Sequence, residues 1–330
     1  MILDGSTASS IETAARQLAA GELVAFPTET VYGLGADASS EEAVAKIFAA
    51  KGRPSDHPLI VHVPDEAAVD AFASSVPVFA HKLMKAFWPG PLTLIFPRRD
   101  GVATAAAGGQ NSIGLRCPQH PVSHALLLAC AKTEPPVLGI AGPSANKFGR
   151  VSPTTAQHVL AEFGDELTIL DGGACRVGIE STIVDCTRGV PVLLRPGMVT
   201  REALQSACGG RIRFPEEMGA DAPRASGTLE SHYAPRARVR LMDANSLQTA
   251  LDLLGTDAAG IAIYSRVILR THSEKILRRR MPDDAAETAR QLFAVLRDFD
   301  AQGVRLIWVE TPPNAPEWEG VLDRLQRAAA

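Results

Sequence analysis

Leu23-Val-Ala-Phe-Pro-Thr-Glu-Thr-Val-Tyr-Gly-Leu-Gly35 is the stretch on which the reading of this chain turns. Leu23 to Phe26 is a short apolar run of the kind that forms a buried strand, and it runs directly into Pro27. Thr28, Glu29, Thr30 and Tyr32 then gather hydroxyls and a carboxylate at the strand end, ahead of a glycine turn. Ordinary turn chemistry with satisfied hydroxyls is one reading, and a ligand-facing strand end is the other. Gly33-Leu-Gly35 is no Rossmann fingerprint, because no third glycine follows at the required spacing, and the chain has no G-x-x-x-x-G-K-[ST] loop.

Helix and strand signals alternate on either side. Upstream, Ser9-x-x-Glu12 is a capping box opening a helix that Gly21 ends. Downstream, Ser39-x-x-Glu42 opens a second helix ending near Gly52, and Leu59 to Val63 reads as a strand. Residues 65–73 and 78–87 are predicted helical, and 92–96, 113–117 and 137–140 predicted strands. A helix over 154–163 is capped by Ser152 with Pro153 at its first position. Strands over 167–170, 182–185 and 192–194 and a helix over 200–207 follow. The pattern predicts an α/β fold, a twisted mixed sheet carrying helices, over residues 1–214. Residues 215–236 lose periodicity and gain Pro and Gly, the signature of a linker. Residues 237–330 show strands at 239–241, 260–264 and 304–309 among helices, a smaller βαβ-type domain.

The chain has 330 residues, 46% of them hydrophobic and 21% charged, with a net charge of −4. Such a composition is that of an ordinary globular protein of two domains. The acidic balance argues against wrapping nucleic acid by bulk charge, while a local basic cleft remains compatible with it. Apolar runs are too short to span a membrane, and the N-terminus lacks the basic and apolar regions of a signal peptide, so no membrane and a cytoplasmic location are expected. Cys117, Cys130, Cys175, Cys186 and Cys208 form no C-x-x-C pair and are expected to be reduced and buried.

Four further places carry chemistry. Lys51-Gly-Arg53-Pro54 sets two cations on a turn, able to hold phosphate oxygens or merely to cap a helix in solvent. Ser144-Ala-Asn146 places small polar groups on a tight turn. Ile113-Gly-Leu-Arg116 ends a strand on an Arg that needs an anion, either a substrate carboxylate or an internal Asp or Glu. Arg195-Pro-Gly197 repeats that arrangement. His57 and His62 flank the strand after the basic turn, whereas His120 and His124 lack a visible third ligand for a metal. No nucleophile motif is present, which favours catalysis by positioning and charge neutralisation.

In their order, Pro27-Thr-Glu-Thr-Val-Tyr-Gly-Leu-Gly35, Lys51-x-Arg53-Pro54, Pro58-Leu-Ile-Val-His62, Trp88-Pro-Gly-Pro-Leu-Thr93, Gly114-Leu-Arg116-x-Pro118, Ser144-Ala-Asn146, Glu180-Ser-Thr-Ile-Val-Asp185 and Leu194-Arg-Pro-Gly197 resemble the L-threonylcarbamoyladenylate synthase family and its YrdC-type domain. The likeness covers about residues 10 to 210. Ser231-His-Tyr-Ala-Pro235 and the extra domain look like the long form, with a Rossmann-like C-terminal domain. Ala225-Ser-Gly227 departs from it, since long-form members often carry Pro before that Gly. The resemblance implies a nucleotidyltransferase making threonylcarbamoyl-AMP and pyrophosphate from L-threonine, bicarbonate and ATP, the first step of the tRNA threonylcarbamoyladenosine (t6A) modification. It implies that Lys51, Arg53, His57, Ser112, Ser144, Asn146, Ser152 and Arg195 hold ATP, with Lys51 and Arg53 catalytic and Tyr233 closing over the nucleotide. It implies Thr30, His62, Arg116, Gly142 and Ser181 for threonine. Mg²⁺ would come with ATP, without a dedicated metal site in the protein. The downstream partner would be the tRNA threonylcarbamoyl-transferase machinery, with direct tRNA binding left open. The alternatives are a non-catalytic double-stranded RNA- or tRNA-binding factor and carbamoyl-adenylate chemistry in another pathway.

Overall fold

The computed structural model describes residues 1–219, 223–227 and 232–330. Their contacts separate two units, one of residues 1–148 and 152–227, the other of residues 149–151 and 232–330. The sequence pattern places a linker over 215–236. In the structure, Pro215–Glu217 form a turn of 3₁₀ helix and residues 223–227 pack within the first unit. Ser231 of the linker motif lies outside the described residues.

The first unit runs β1 (Ile2–Asp4), α1 (Ala8–Ala19), β2 (Val24–Phe26), β3 (Gly33–Asp37), α2 (Glu41–Lys51), β4 (Ile60–His62), α3 (Val78–Phe87), β5 (Leu92–Pro97), β6 (Ser112–Arg116), α4 (Pro121–Cys130), β7 (Ile140–Ala141), α5 (Ala156–Phe163), β8 (Thr168–Asp171), β9 (Thr182–Asp185), β10 (Val192–Arg195) and α6 (Arg201–Cys208). Its strands form one mixed ten-stranded sheet in the order β1-β8-β2-β3-β7-β4-β6-β5-β9-β10. Val24, Ala25 and Phe26 of β2 are all fully buried, so the strand carries no polar face and reads as a continuous apolar run. One core cluster holds Leu34, Ile47, Val61, Leu94 and Leu115, and a second joins Ile11, Ala14 and Leu18 of α1 to Leu126 of α4 and Phe26.

Local signals are displaced at several starts. Helix α1 is capped by Thr7, whose hydroxyl accepts from Ser10 N, so Ser9 lies inside the helix. Ser40 caps α2 and Thr155 caps α5, in place of the expected Ser39 and Ser152. In each case several hydroxyls stand in a row, and all are competent caps by type. Gly33-Leu-Gly35 belongs to strand β3 and is no turn. The Phe26 ring lies across it, and a Cβ at Gly33 would come 2.9 Å from Phe26 Cζ. Residues 65–73 hold only the short 3₁₀ turn Ala67–Ala71.

The second unit runs β11 (Arg238–Met242), α7 (Ala244–Asp252), β12 (Ile261–Ser265), β13 (Leu277–Arg280), α8 (Ala285–Ala301), β14 (Leu306–Glu310) and α9 (Glu319–Ala329). The four strands are parallel in the order β11-β14-β12-β13; α7 joins β11 to β12 and α8 joins β13 to β14, while residues 266–276 link β12 to β13 without a helix. Leu292, Phe293, Leu296 and Phe299 of α8 are buried, and Leu247 and Leu251 of α7 pack with Ile261 and Ile263. Strand β13 carries no strand signal in its sequence, because Leu277-Arg-Arg-Arg280 has no apolar alternation.

All five cysteines are free and buried. Burial pushes the Cys117 thiol up to about 11 and the Cys130 thiol up to about 12, and raises Cys175 and Cys186 further. No helix among the described residues is long and apolar enough to cross a membrane.

Candidate active site

Helix α2 delivers the first cation. Lys51 is its last residue, and Gly52, at φ +64°, turns the chain in the left-handed region that glycine tolerates. Neither Lys51 nor Arg53 is solvated, which overturns the reading of this turn as an exposed cap. Lys51 Nζ donates to Ser144 O at 2.5 Å and to Asn146 O, so the Lys51 and Ser144-Ala-Asn146 motifs form one unit. Burial, then the neighbouring Arg53 cation, hold the Lys51 ammonium well below its ordinary pKa. Arg53 donates to Pro58 O at 3.0 Å and lies over the Phe148 ring, 5.7 Å from its centroid. His57 meets the same ring edge-on at 5.6 Å, and its pKa is lowered by partial burial and by Arg53.

A second cluster sits on β4 and β6. Register pairs His62 with Arg116 on adjacent parallel strands. Arg116 Nη2 donates to Glu29 Oε1 at 2.6 Å and Nη1 to Thr30 Oγ1 at 2.8 Å, while Glu29 Oε2 accepts from Gln119 N at 3.0 Å. The anion Arg116 requires is therefore internal, Glu29. His62 is buried edge-on to Phe26, with ring centroids 5.4 Å apart. Its Nδ1 has no hydrogen-bond partner among the described residues. Burial, and then the Arg116 charge, push its pKa down to about 3. Gly142 fits against this pair: a Cβ there would come 2.9 Å from Phe26 Cζ and 3.0 Å from His62 Nδ1.

Ser181 and Arg195 adjoin both groups. Ser181 shares a hydrogen bond of 2.8 Å with Thr93 on β5, next to β6. Arg195 Nε donates to Ser181 O at 3.0 Å, Nη2 to Ser181 Oγ at 3.2 Å and Nη1 to Ser226 O at 2.6 Å. The segment carrying Ser226 therefore packs over the sheet, where Arg53 also reaches Ser226 Oγ at 3.5 Å. Beneath it a space of about 20 Å³ remains beside Thr93, Ser112 and Gly114. Ser152 donates to Glu180, and both are buried. Tyr233 belongs to the second unit, where its ring stacks on Phe293 at 5.4 Å and its backbone has φ +62°. His120 caps α4, its Nδ1 accepting from Val122 N at 3.2 Å.

Thr93 and Glu180 are contributors beyond the residues singled out from the sequence, and Glu29, named there only at a strand end, proves to be the partner of Arg116. Each lies inside a motif that carried the resemblance, so the motif pointed to them although residue type did not. Among the described residues no group of three His, Cys, Asp or Glu converges as a metal site would. The donors here are cations, hydroxyls and amides, which suit phosphate and carboxylate oxygens.

Two families match. The one described as Telomere recombination is matched over residues 16–197, and that described as Threonylcarbamoyl-AMP synthase, C-terminal domain, over residues 199–330. Threonylcarbamoyl-AMP synthase of Pyrococcus abyssi is 38% identical, covering 97% of this chain and 94% of its own length. That of Bacillus subtilis is 36% identical over 97% and 92%. Among solved structures, P. abyssi Sua5 complexed with L-threonine has a TM-score of 0.87 at 36% identity, covering 97% of this chain and 94% of its own. A double-variant Sua5 of the same organism has a TM-score of 0.89 at 34% identity over 100% and 96%.

Proposed function

The chain belongs to the threonylcarbamoyl-AMP synthase family, and from that premise we propose how its cleft divides the work. It is an ATP-using transferase of t6A synthesis. Lys51, Arg53, His57, Ser112, Ser144, Asn146, Ser152 and Arg195 hold ATP, while Thr30, His62, Arg116, Gly142 and Ser181 hold L-threonine. The observation that carries this division is Ser181, which bonds Arg195 on one side and lies on the Thr93 and Arg116 side with the other. A residue in that position brings an amino acid against a nucleotide phosphate.

The threonine amine takes up carbon from bicarbonate to give a carbamate and water. A carbamate oxygen then attacks the α-phosphorus, and pyrophosphate leaves. Charge grows on the phosphoryl oxygens, where Lys51, Arg53 and Arg195 are already fixed, so little reorganisation is needed. Binding of the polyanion favours the charged Lys51, against the burial that lowers its pKa. Neutral His62 is too weak a base to take the ammonium proton, so it orients the substrate instead. Mg²⁺ would come with ATP and would add positive charge beside the phosphates, next to Lys51, Arg53 and Arg195. The linker over residues 215–236 acts as a lid in which Tyr233 takes part, the adenylate passes to the tRNA-modifying machinery, and the enzyme works in the cytoplasm.

The test is pyrophosphate release from ATP with threonine and bicarbonate omitted in turn. Release that needs both is expected. Release with neither would overturn the reading.

A further inference from the structure

A short piece from the middle of the chain, residues 149–151, belongs with the second unit. Its neighbours in sequence are Asn146 and Ser152, two of the residues assigned above to ATP. From 142 to 155 the backbone forms no helix and no extended strand, so individual contacts set its course. The ends of this loop are fixed within the first unit. Phe148 N donates to Lys51 O at 2.9 Å, and Tyr32 N donates to Pro153 O at 2.9 Å. Ser152 is fully buried and donates to Glu180.

The middle of the loop is fixed by the second unit. Gly149, at φ +78°, turns the chain in the left-handed region, and its carbonyl accepts from Ala234 N at 2.9 Å. Arg150 forms an isolated parallel bridge with Ala234. Val151 O accepts from Arg297 Nη2 of α8. Arg297 stands between Phe293 and Asp300 at the four- and three-residue spacings that share one helix face. Phe293 stacks on Tyr233, and the Asp300 oxygens accept from Arg236 N at 2.8 Å and Ala237 N at 3.1 Å. One stripe of α8 thus holds both the loop and residues 233–237. Arg150 also lies 4.0 Å from Asp300, but its side chain is 36% exposed, and such a pair contributes little. Val151 is buried at 3% exposure, and a guanidinium is a charge-assisted donor, the stronger class.

We propose that Arg297 is a positioning residue for the ATP half of the site. It acts through the backbone: by holding Val151 O it fixes the chain one peptide before Ser152 and keeps the loop after Asn146 in register. Misplacement of a binding group by about 1 Å can cost about a hundredfold. Thr30, His62 and Arg116 stand on the β2–β3 connection, β4 and β6, so the threonine half is spared. The inference rests on the assignment of Asn146 and Ser152 to ATP.

The test uses the full chain. Arg297→Met keeps the bulk of the stem and removes the donor. The KM for ATP, and the Kd for ATP by calorimetry without threonine, should rise about tenfold or more, while the KM for threonine stays within about twofold. Arg297→Lys keeps a cationic donor and should show a smaller rise in the same direction. Hydrogen exchange should quicken over residues 147–153 and stay slow in α8, a pattern that general loss of stability would not give. The proposal is overturned by parent-like ATP affinity in Arg297→Met, by equal rises in both KM values, or by unchanged exchange over 147–153. A parent chain that fails to bind ATP would give a different result: it would overturn the ATP assignment itself, and this proposal with it.

Discussion

Glu29 and Arg116 show how a buried charge is made useful. Both side chains are 4% exposed, and isolation of either charge would be costly, so each exists by virtue of the other. Glu29 thereby fixes the guanidinium that faces the proposed threonine position. Glu29→Gln keeps the shape and removes the charge, and we expect the KM for threonine to rise about tenfold with the KM for ATP little changed; equal rises in both would reject this division. Arg53→Ala should lower kcat/KM for ATP about ten- to a hundredfold, from the roughly 1.5–3 kcal/mol of one charge-assisted bond. Near-normal kinetics would remove Arg53 from the ATP set. His62 links to pH. Its pKa falls from the ordinary 6.5 to about 3 in the fold, so the unfolded chain binds the extra proton between these values. The stability it contributes is complete above pH 6.5 and is lost as pH falls toward 3. Melting temperatures followed from pH 7 down to about 4.5 should decline less steeply in His62→Gln than in the parent; parallel declines would refute the linkage. At this scale the residue types were legible. Partners were not: Glu29 and Arg116 are 87 positions apart, and an unpaired sequence motif leaves a substrate carboxylate and an internal one equally suitable.

Phe26 governs the elements around the site. Its ring closes on Gly33, Gly35 and Gly142, each too near for a Cβ, and presents its edge to His62. Two glycines in strand β3 and one just past the end of β7 therefore sit against one aromatic ring. Gly142→Ala should push Phe26 or His62 aside. We expect a lower melting temperature, by about 1–3 kcal/mol of overpacking, together with weaker threonine binding. An unchanged threonine affinity in a folded Gly142→Ala protein would take this position out of the site. The alternation of strands and helices was readable from apolar runs and breakers, and α3 and β9 begin and end where the pattern sets them. Helix starts were less readable, because Thr7, Ser9 and Ser10, or Ser152 and Thr155, are chemically alike, and only the backbone geometry selects one. Strand β3 hid for a related reason, since glycines signal turns unless the ring that requires them is known.

At the scale of the whole molecule, the mixed α/β class and a smaller parallel domain follow from local pattern, whereas strand order does not. Strands β1 and β8 lie side by side although most of the first unit separates them in sequence, and no local signal encodes such a neighbour. The first unit has its own core, so a chain ending after residue 214 should still melt cooperatively. We expect it to lose turnover, since residues 223–227 and Tyr233 are gone. A second truncation after residue 227 would keep the Ser226 carbonyl on Arg195. Full turnover in the shorter chain would end the lid proposal.

The five buried thiols have a practical consequence. A folded chain whose native sulfurs are all withdrawn from solvent presents nothing for a maleimide to attack, so a single cysteine placed at an exposed site such as Leu253 becomes the sole attachment point for a fluorophore or spin label. The movements of the molecule can then be watched with its native cysteines left in place.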